Sequence, residues 1–298
     1  MQTIALTSVG GNAEIMQHAK LYQHAKTIAA ALGFRTRRGE TKGWERFARA
    51  SDGNPELLAQ SGNDMERAFY SHNDRVAHKW HDYLWAYDRA ASRYRGTSAN
   101  FLEIGVCHGG SLQVWKDYLG PEATINGIDI LSICREVEEE QIHVFQCDTR
   151  SREELIQALK RIGPLDIVVD DGSHIGSHQR ICFEEIFPRM RDGGVYIVED
   201  IQCSYWRDFQ GGYKRSGSFV EYCKDLIDRI HIWYISDDRI GSDEWFARNI
   251  RSISFSDGIV VIEKGPKNEP FHVRAGWRAL PLEAEVEKLK SEGRWLVE

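Results

Sequence analysis

The stretch I-V-V-D-D-G-S-H (167–174), answered by G-G-V-Y-I-V-E-D (193–200), decides the fold. Two apolar, β-branched runs, Ile167–Val169 and Val195–Val198, each stop abruptly on a pair of acids. Runs of this kind mark buried parallel strands. Between them Phe183, Ile186, Phe187 and Met190 recur at helical spacing, so the unit is strand–helix–strand. In an open α/β sheet, ligands sit beyond the carboxyl ends of the strands. Asp170, Asp171, His174, Glu199 and Asp200 are therefore expected along one rim.

Carboxylates that converge without a cation repel and rise in pKa. A hard divalent ion such as Mg²⁺ would resolve the conflict, because it takes a few carboxylates, waters and substrate oxygens. His174, one short loop after Asp171, is then placed as a general base. Acids at strand ends also cap helices or solvate loops. Two pairs on consecutive strands, with a histidine in the first loop, favour chemistry. His178 follows four residues later and would share a helical face with His174; the oxygen-rich rim suits Mg²⁺ better than zinc, which leaves His178 structural.

Working outward, S-A-N-F-L-E-I-G-V-C-H-G-G-S-L (98–112) gives a short strand, a glycine loop and a helix start. Glycines let backbone approach a ligand, and helix N-terminal amides favour an anionic group. The spacing E-x-G-x-x-x-G-G-S is not the G-x-G-x-x-G of a dinucleotide site, which disfavours a nicotinamide dehydrogenase. Thr124–Asp129 is a second strand, ending in an acid able to accept from both ribose hydroxyls. Ile142–Asp148 is a third, followed by the capping box Ser151–Glu154 of a helix to about Arg161. Pro188 should stop or kink the helix it sits in. Downstream, Phe219–Ile230 is a helix, and Arg251–Ser256 with Ile259–Lys264 is a hairpin turned by Asp257-Gly258. A charged, solvated helix is expected near Leu282–Glu292.

Aromatics and histidines crowd residues 69–95 at intervals of three and four, the pattern of an amphipathic helix packing on the core. Lys79, Trp80, His81 and Tyr83 on it are candidate walls of the site. Tyr205, Trp206 and Tyr213, in the aromatic loop after Asp200, are candidate substrate walls. Residues 1 to about 60 hold one helical face (Ile15, Tyr22, Ala25, Ala29, Leu32) and are expected to be accessory, an oligomerisation arm.

The 298 residues, 42% hydrophobic and 28% charged, suit one large domain with an accessory region. The net charge of −7 argues against nucleic acid as the main partner. The start, M-Q-T-I-A-L-T-S-V-G-G, lacks the features of a signal peptide, and no run approaches a membrane span. The six cysteines form no C-x-x-C pair and are expected as buried thiols in a cytoplasmic protein.

Five strand signals separated by helices, then an antiparallel hairpin, resemble the class I S-adenosylmethionine-dependent methyltransferases. F-L-E-I-G-V-C-H-G-G-S-L, D-D-G-S-H, G-G-V-Y-I-V-E-D and S-I-S-F-S-D-G-I-V-V-I-E-K-G are similar to the metal-dependent sugar O-methyltransferases of macrolide biosynthesis, the mycinamicin and tylosin type. The resemblance covers about residues 75–265 and is most specific in D-D-G-S-H and V-E-D. It implies an α/β, Rossmann-like fold: a mostly parallel seven-stranded sheet with helices on both faces and a C-terminal hairpin. The chain is expected to divide into a helical accessory region at 1–95, a methyltransferase domain at 96–265 and a tail with a helix at 266–298.

The same resemblance implies Mg²⁺ at Asp171, Glu199 and Asp200, with His174 as base. It implies S-adenosylmethionine contacts at Glu103, Gly105, Asp129 and Asp148, and at Asp170 near the methionine end; His108 and Gly109 of the glycine loop and Ser111 at the helix start are expected on the same cofactor side. The implied acceptor is a sugar or glycoside hydroxyl, and a homo-oligomer is expected. Two rivals keep the fold: a methyltransferase for catechol-like diols, and a module that binds the cofactor without transfer. Turnover of rhamnosides against catechols separates the first; methyl transfer to any diol excludes the second.

Overall fold

The computed structural model describes residues 55–236 and 244–295. The helical face expected at Ile15–Leu32 lies outside the described residues. Two compact units result, residues 1–267 and residues 268–298.

In the first unit the order is α1 (Pro55–Ala59), α2 (Asp64–Ser71), α3 (His81–Ala91), β1 (Asn100–Ile104), α4 (Gly110–Leu119), β2 (Thr124–Asp129), β3 (Ile142–Gln146), α5 (Arg152–Ile162), β4 (Ile167–Asp170), α6 (Gly176–Ile186), β5 (Val195–Val198), α7 (Phe219–Ile230), α8 (Trp245–Asn249), β6 (Ile250–Ser256) and β7 (Ile259–Lys264). The strands form one seven-stranded sheet in the order β3-β2-β1-β4-β5-β7-β6. β1 to β5 are parallel; β7 runs antiparallel to both β5 and β6.

Side-chain alternation divides the core between the two faces of this sheet. Phe101, Ile125, Ile167, Val169 and Ile197 pack with Tyr83, Leu84 and Tyr87 of α3 and with Trp115 and Leu119 of α4. Leu102, Ile128, Val168, Tyr196 and Val260 pack instead with Leu155 of α5, Phe183 and Ile186 of α6, and Phe219 and Leu226 of α7. Burial on both faces is why β4 and β5 read as unbroken apolar runs. Pro188 does end α6: a short 3-10 turn, Phe187–Arg189, takes over there. Ser151 caps α5 by accepting from the Glu154 amide. Glu154 does not return the bond as a capping box would; its carboxylate accepts from the Asp148 amide.

Residues 69–95 are not one helix. α2 ends at Ser71, residues 72–80 carry no regular helix, and α3 starts at His81. Asn73 and Asp74 are turn formers that compete with helical hydrogen bonding. In α2 and α3, Met65, Tyr83, Leu84, Tyr87 and Ala91 are buried in the same core as β1 and β4. In the second unit, α9 (Glu283–Ser291) has no buried residue, as a solvated helix should. Among the described residues, no helix is long and apolar enough to cross a membrane.

Candidate active site

Register places the acids. Ile104, Asp170 and Val198 lie level across β1, β4 and β5, so Gly105, Asp171 and Glu199 stand one step beyond the strand ends. The ladder continues into them: the Asp171 amide donates to the Ile104 carbonyl and the Glu199 amide to that of Asp170, both at 3.0 Å. Gly105, at φ +93°, passes so close to the Asp171 carbonyl that any Cβ would collide with it. The turn that aims Asp171 therefore requires glycine there.

Two further residues hold left-handed backbone that side chains rarely adopt, His174 at φ +58° and Asp200 at φ +53°. Such conformations cost on the order of 1–3 kcal/mol each and persist where the surroundings impose them. Here they turn both side chains to one point. His174 Nε2 lies 3.6 Å from Asp200 Oδ2 and 3.9 Å from Asp171 Oδ1. The imidazole rests on Phe209, ring centroids 5.9 Å apart, and its buried Nδ1 has no hydrogen-bond partner. Nε2 is thus the nitrogen presented to the acids.

The remaining oxygen of each acid is held from behind. Asp200 Oδ1 accepts from the Trp80 indole at 3.0 Å, the Tyr83 hydroxyl at 2.8 Å and the Gln202 amide at 2.8 Å. Burial pushes the Asp200 carboxyl up, but His174, Tyr83 and Gln202 outweigh it and hold the group below its ordinary value. Asp171 Oδ2 accepts from the Lys79 ammonium at 2.6 Å.

That ammonium was not foreseen in this role. Lys79 comes from the irregular segment before α3, and its side chain is only 4% exposed. Besides Asp171 it donates to Glu103 Oε1 at 3.0 Å and to Glu199 Oε1 and Oε2 at 2.9 and 3.0 Å. Burial alone would lower it; Asp171 and Glu199 overcome this and keep it charged. Burial first, then Asp171, pushes the Glu199 carboxyl well up against the opposing pull of Lys79. The carboxylates thus fall into two groups that share Asp171: an inner one of Glu103, Asp171 and Glu199, and an outer one of Asp171, Asp200 and His174. Of the three acids expected to meet at one ion, Asp171 and Asp200 come together at His174, while both oxygens of Glu199 face Lys79. Mutual repulsion among the acids does not by itself demand a metal, since Lys79 offsets part of it.

The expected cofactor residues lie along the rim from β3 through β2 and β1 to β4. Glu103 is fully buried; Oε1 accepts from Ser111 at 2.7 Å and Oε2 has no partner. Asp129 organises the glycine loop: Oδ2 accepts from the Val106 and Cys107 amides at 2.9 and 3.2 Å, Oδ1 from Leu131 at 2.8 Å. Gly109, at φ +78°, would press a Cβ onto Val137, and Gly110 lies against the backbone of Arg75 and Val76. His108 is half-buried on the same loop. Asp148 is paired with Arg150, which holds its carboxyl below the usual range. Asp170 is buried, takes the Tyr196 hydroxyl at 3.2 Å, and is pushed up by burial to about 6.

Of the expected walls, Trp80 serves as an anchor of Asp200, and His81 Nδ1 is 2.6 Å from the Tyr70 hydroxyl. Tyr205 and Tyr213 are exposed, and Trp206 packs against Phe209 at 6.1 Å. His178 Nδ1 is bonded to Ser173 Oγ at 2.8 Å, away from the carboxylates of the outer group.

No protein-family model matches the chain. It is similar to the mycinamicin VI 2''-O-methyltransferase of Micromonospora griseorubida, 37% identical over 193 residues, 61% of this chain and 48% of that one. It is also similar to the 8-demethyl-8-alpha-L-rhamnosyl tetracenomycin-C 2'-O-methyltransferase of Streptomyces olivaceus, 34% identical over 196 residues, 62% of this chain and 51% of that one. The methyltransferase MycE of the mycinamycin biosynthetic pathway, solved in complex with Mg and SAH, matches at TM-score 0.61 and 30% identity. That match covers 96% of this chain and 68% of the other. The chain belongs to the class I S-adenosylmethionine-dependent methyltransferases. It spans about half the length of the curated relatives it matches.

Lys79 and Tyr83 were expected as walls of the site, but the acids they hold were not assigned from sequence, and Gln202 and Phe209 were not singled out. Tyr83 and Gln202 fix Asp200, Phe209 supports His174, and Lys79 gathers the inner group. Lys79 and Tyr83 left a signal, as members of the aromatic run at residues 69–95.

Proposed function

We propose that this chain is a Mg²⁺-dependent O-methyltransferase that moves the methyl group of S-adenosylmethionine to a hydroxyl of a sugar or glycosylated small molecule. The observation that carries this is the convergence of Asp171 Oδ1 and Asp200 Oδ2 on His174 Nε2, at 3.9 and 3.6 Å. Two carboxylate oxygens with an imidazole beside them form a hard, oxygen-rich donor set that fits Mg²⁺. Asp171 and Asp200 would hold the ion, with Glu199 one layer inward on Lys79. When bound, the ion supplies Lewis acidity toward an alcohol oxygen, and S-adenosylmethionine supplies the methyl group.

The chain's own residues do the rest. His174 Nε2 takes the hydroxyl proton, a step typically worth roughly 10²–10⁴-fold. Phe209 and the left-handed backbone hold that ring in place, so little reorganisation precedes proton transfer. Trp80, Tyr83 and Gln202 keep Asp200 ionised and oriented. Glu103, Gly105, His108, Gly109, Ser111, Asp129, Asp148 and Asp170 form the cofactor side of the rim. The name of one relative, an 8-demethyl-8-alpha-L-rhamnosyl tetracenomycin-C 2'-O-methyltransferase, supports a glycoside as acceptor. So does the MycE structure solved with Mg, SAH and mycinamycin VI. We further expect a homo-oligomer in the cytoplasm and no nucleic-acid partner, which light scattering and fractionation would check. The test of the function is methyl transfer from labelled S-adenosylmethionine to rhamnosides and to catechols, with and without EDTA. Transfer to catechols alone would reassign the acceptor, and no transfer to either would refute the activity.

A further inference from the structure

The inner group of acids is built around an ammonium. Glu103, Asp171 and Glu199 come from the ends of three neighbouring strands and each offers an oxygen within 4.8 Å of the others. Lys79 Nζ stands among them, within 2.6–3.0 Å of all three. Glu103 and Glu199 are 0% and 1% exposed, so solvent does little to screen them. Asp171 belongs to both groups: Oδ2 serves Lys79, while Oδ1 faces His174 beside Asp200.

We propose that Lys79 is a positioning residue, the fixed inner cation of a two-cation site in which Asp171 bridges the ammonium to the divalent ion held outside it. The outer ion rests on the metal-dependent function proposed above; the inner cation does not. An ammonium donates along three N–H directions and cannot be titrated away by a chelator. It therefore sets the Asp171 and Glu199 rotamers before any ion arrives. It also ties Glu103, at the end of β1 just before the glycine loop, to the acids of the metal rim. Lysine rather than a second metal at this point leaves a single exchangeable ion.

The test is to count Mn²⁺ ions bound by electron paramagnetic resonance, on wild type, Lys79→Met and Lys79→Arg. With the ammonium gone, three carboxylates, two of them buried, lack a cation, and Lys79→Met should bind one ion more than wild type. Lys79→Arg, which keeps the charge, should bind the wild-type number. In EDTA, Lys79→Met should melt roughly 10 °C lower, as expected when a buried charge loses its partner. Adding Glu199→Gln to it should recover much of that shift. An unchanged ion count in Lys79→Met, or additive losses in the double variant, would overturn the proposal. The wild-type count judges the functional reading separately. No ion on wild type and one on Lys79→Met would refute metal dependence and leave the inner cation standing.

Discussion

The Tyr83 hydroxyl has three acceptors in range: Asp200 Oδ1 at 2.8 Å, the Gly258 carbonyl at 2.9 Å and Gln202 Oε1 at 3.2 Å. It has one proton, and it also accepts from the Asp200 amide at 3.1 Å. The shortest contact is to an ionised group, whose hydrogen bonds contribute about 1.5–3 kcal/mol. We predict that Tyr83→Phe folds but loses thermal stability and at least roughly tenfold in kcat, since that energy range spans a factor of ten or more. Unchanged kcat in a melted-and-refolded control would show that Asp200 needs no such support. Gly258 lies against the same pair: at φ +74°, a Cβ would meet the Tyr83 hydroxyl and Gln202. Gly258→Ala is expected to lower both the melting temperature and kcat, measured by calorimetry and methyl-transfer assay. A variant as stable and active as wild type would refute the close approach. Lys79, Tyr83 and Gln202 could not be assigned to Asp171 and Asp200 from sequence alone. Those contacts, apart from the local one of Gln202, join residues more than ninety positions apart, and composition carries no trace of such pairings.

At the scale of elements, the strands were legible because burial on both faces leaves uniform apolar runs. Thr124–Asp129 and Val195–Val198 match their expected bounds, and Asp257-Gly258 turns the expected hairpin. The break between α2 and α3 was not legible, because aromatics on either side keep the helical interval through residues 72–80. The left-handed conformations of His174 and Asp200 were hidden too: Asp and His are enriched among the non-glycine residues at positive φ, but most of them lie elsewhere. The end of the sheet opposite the rim gives a prediction about stability alone. Lys264 is buried there and its ammonium donates to the carbonyls of Pro188 and Met190 at 2.9 and 2.6 Å, closing the turn that Pro188 starts. Lys264→Met should cost roughly 1–3 kcal/mol in denaturant unfolding, by stranding those carbonyls. KM and kcat of the folded protein should stay at wild-type values. A loss of activity without a loss of stability would contradict this placing.

For the whole molecule, the sheet collects at one rim the carboxyl ends of β1 to β5, and with them the glycine loop, the inner ammonium and the outer acid pair. At this rim, we propose, His174 removes a proton from a hydroxyl while Asp171 and Asp200 hold Mg²⁺ beside it. The most direct measurement is single-turnover methyl transfer to a rhamnoside by wild type and His174→Ala, in EDTA and after Mg²⁺ is restored, with cofactor affinity followed by calorimetry. We predict transfer by wild type only with Mg²⁺, a loss of about 10²–10⁴-fold in His174→Ala, and near-equal cofactor affinity for the two proteins. Full activity in EDTA, or a His174→Ala variant as fast as wild type, would contradict it.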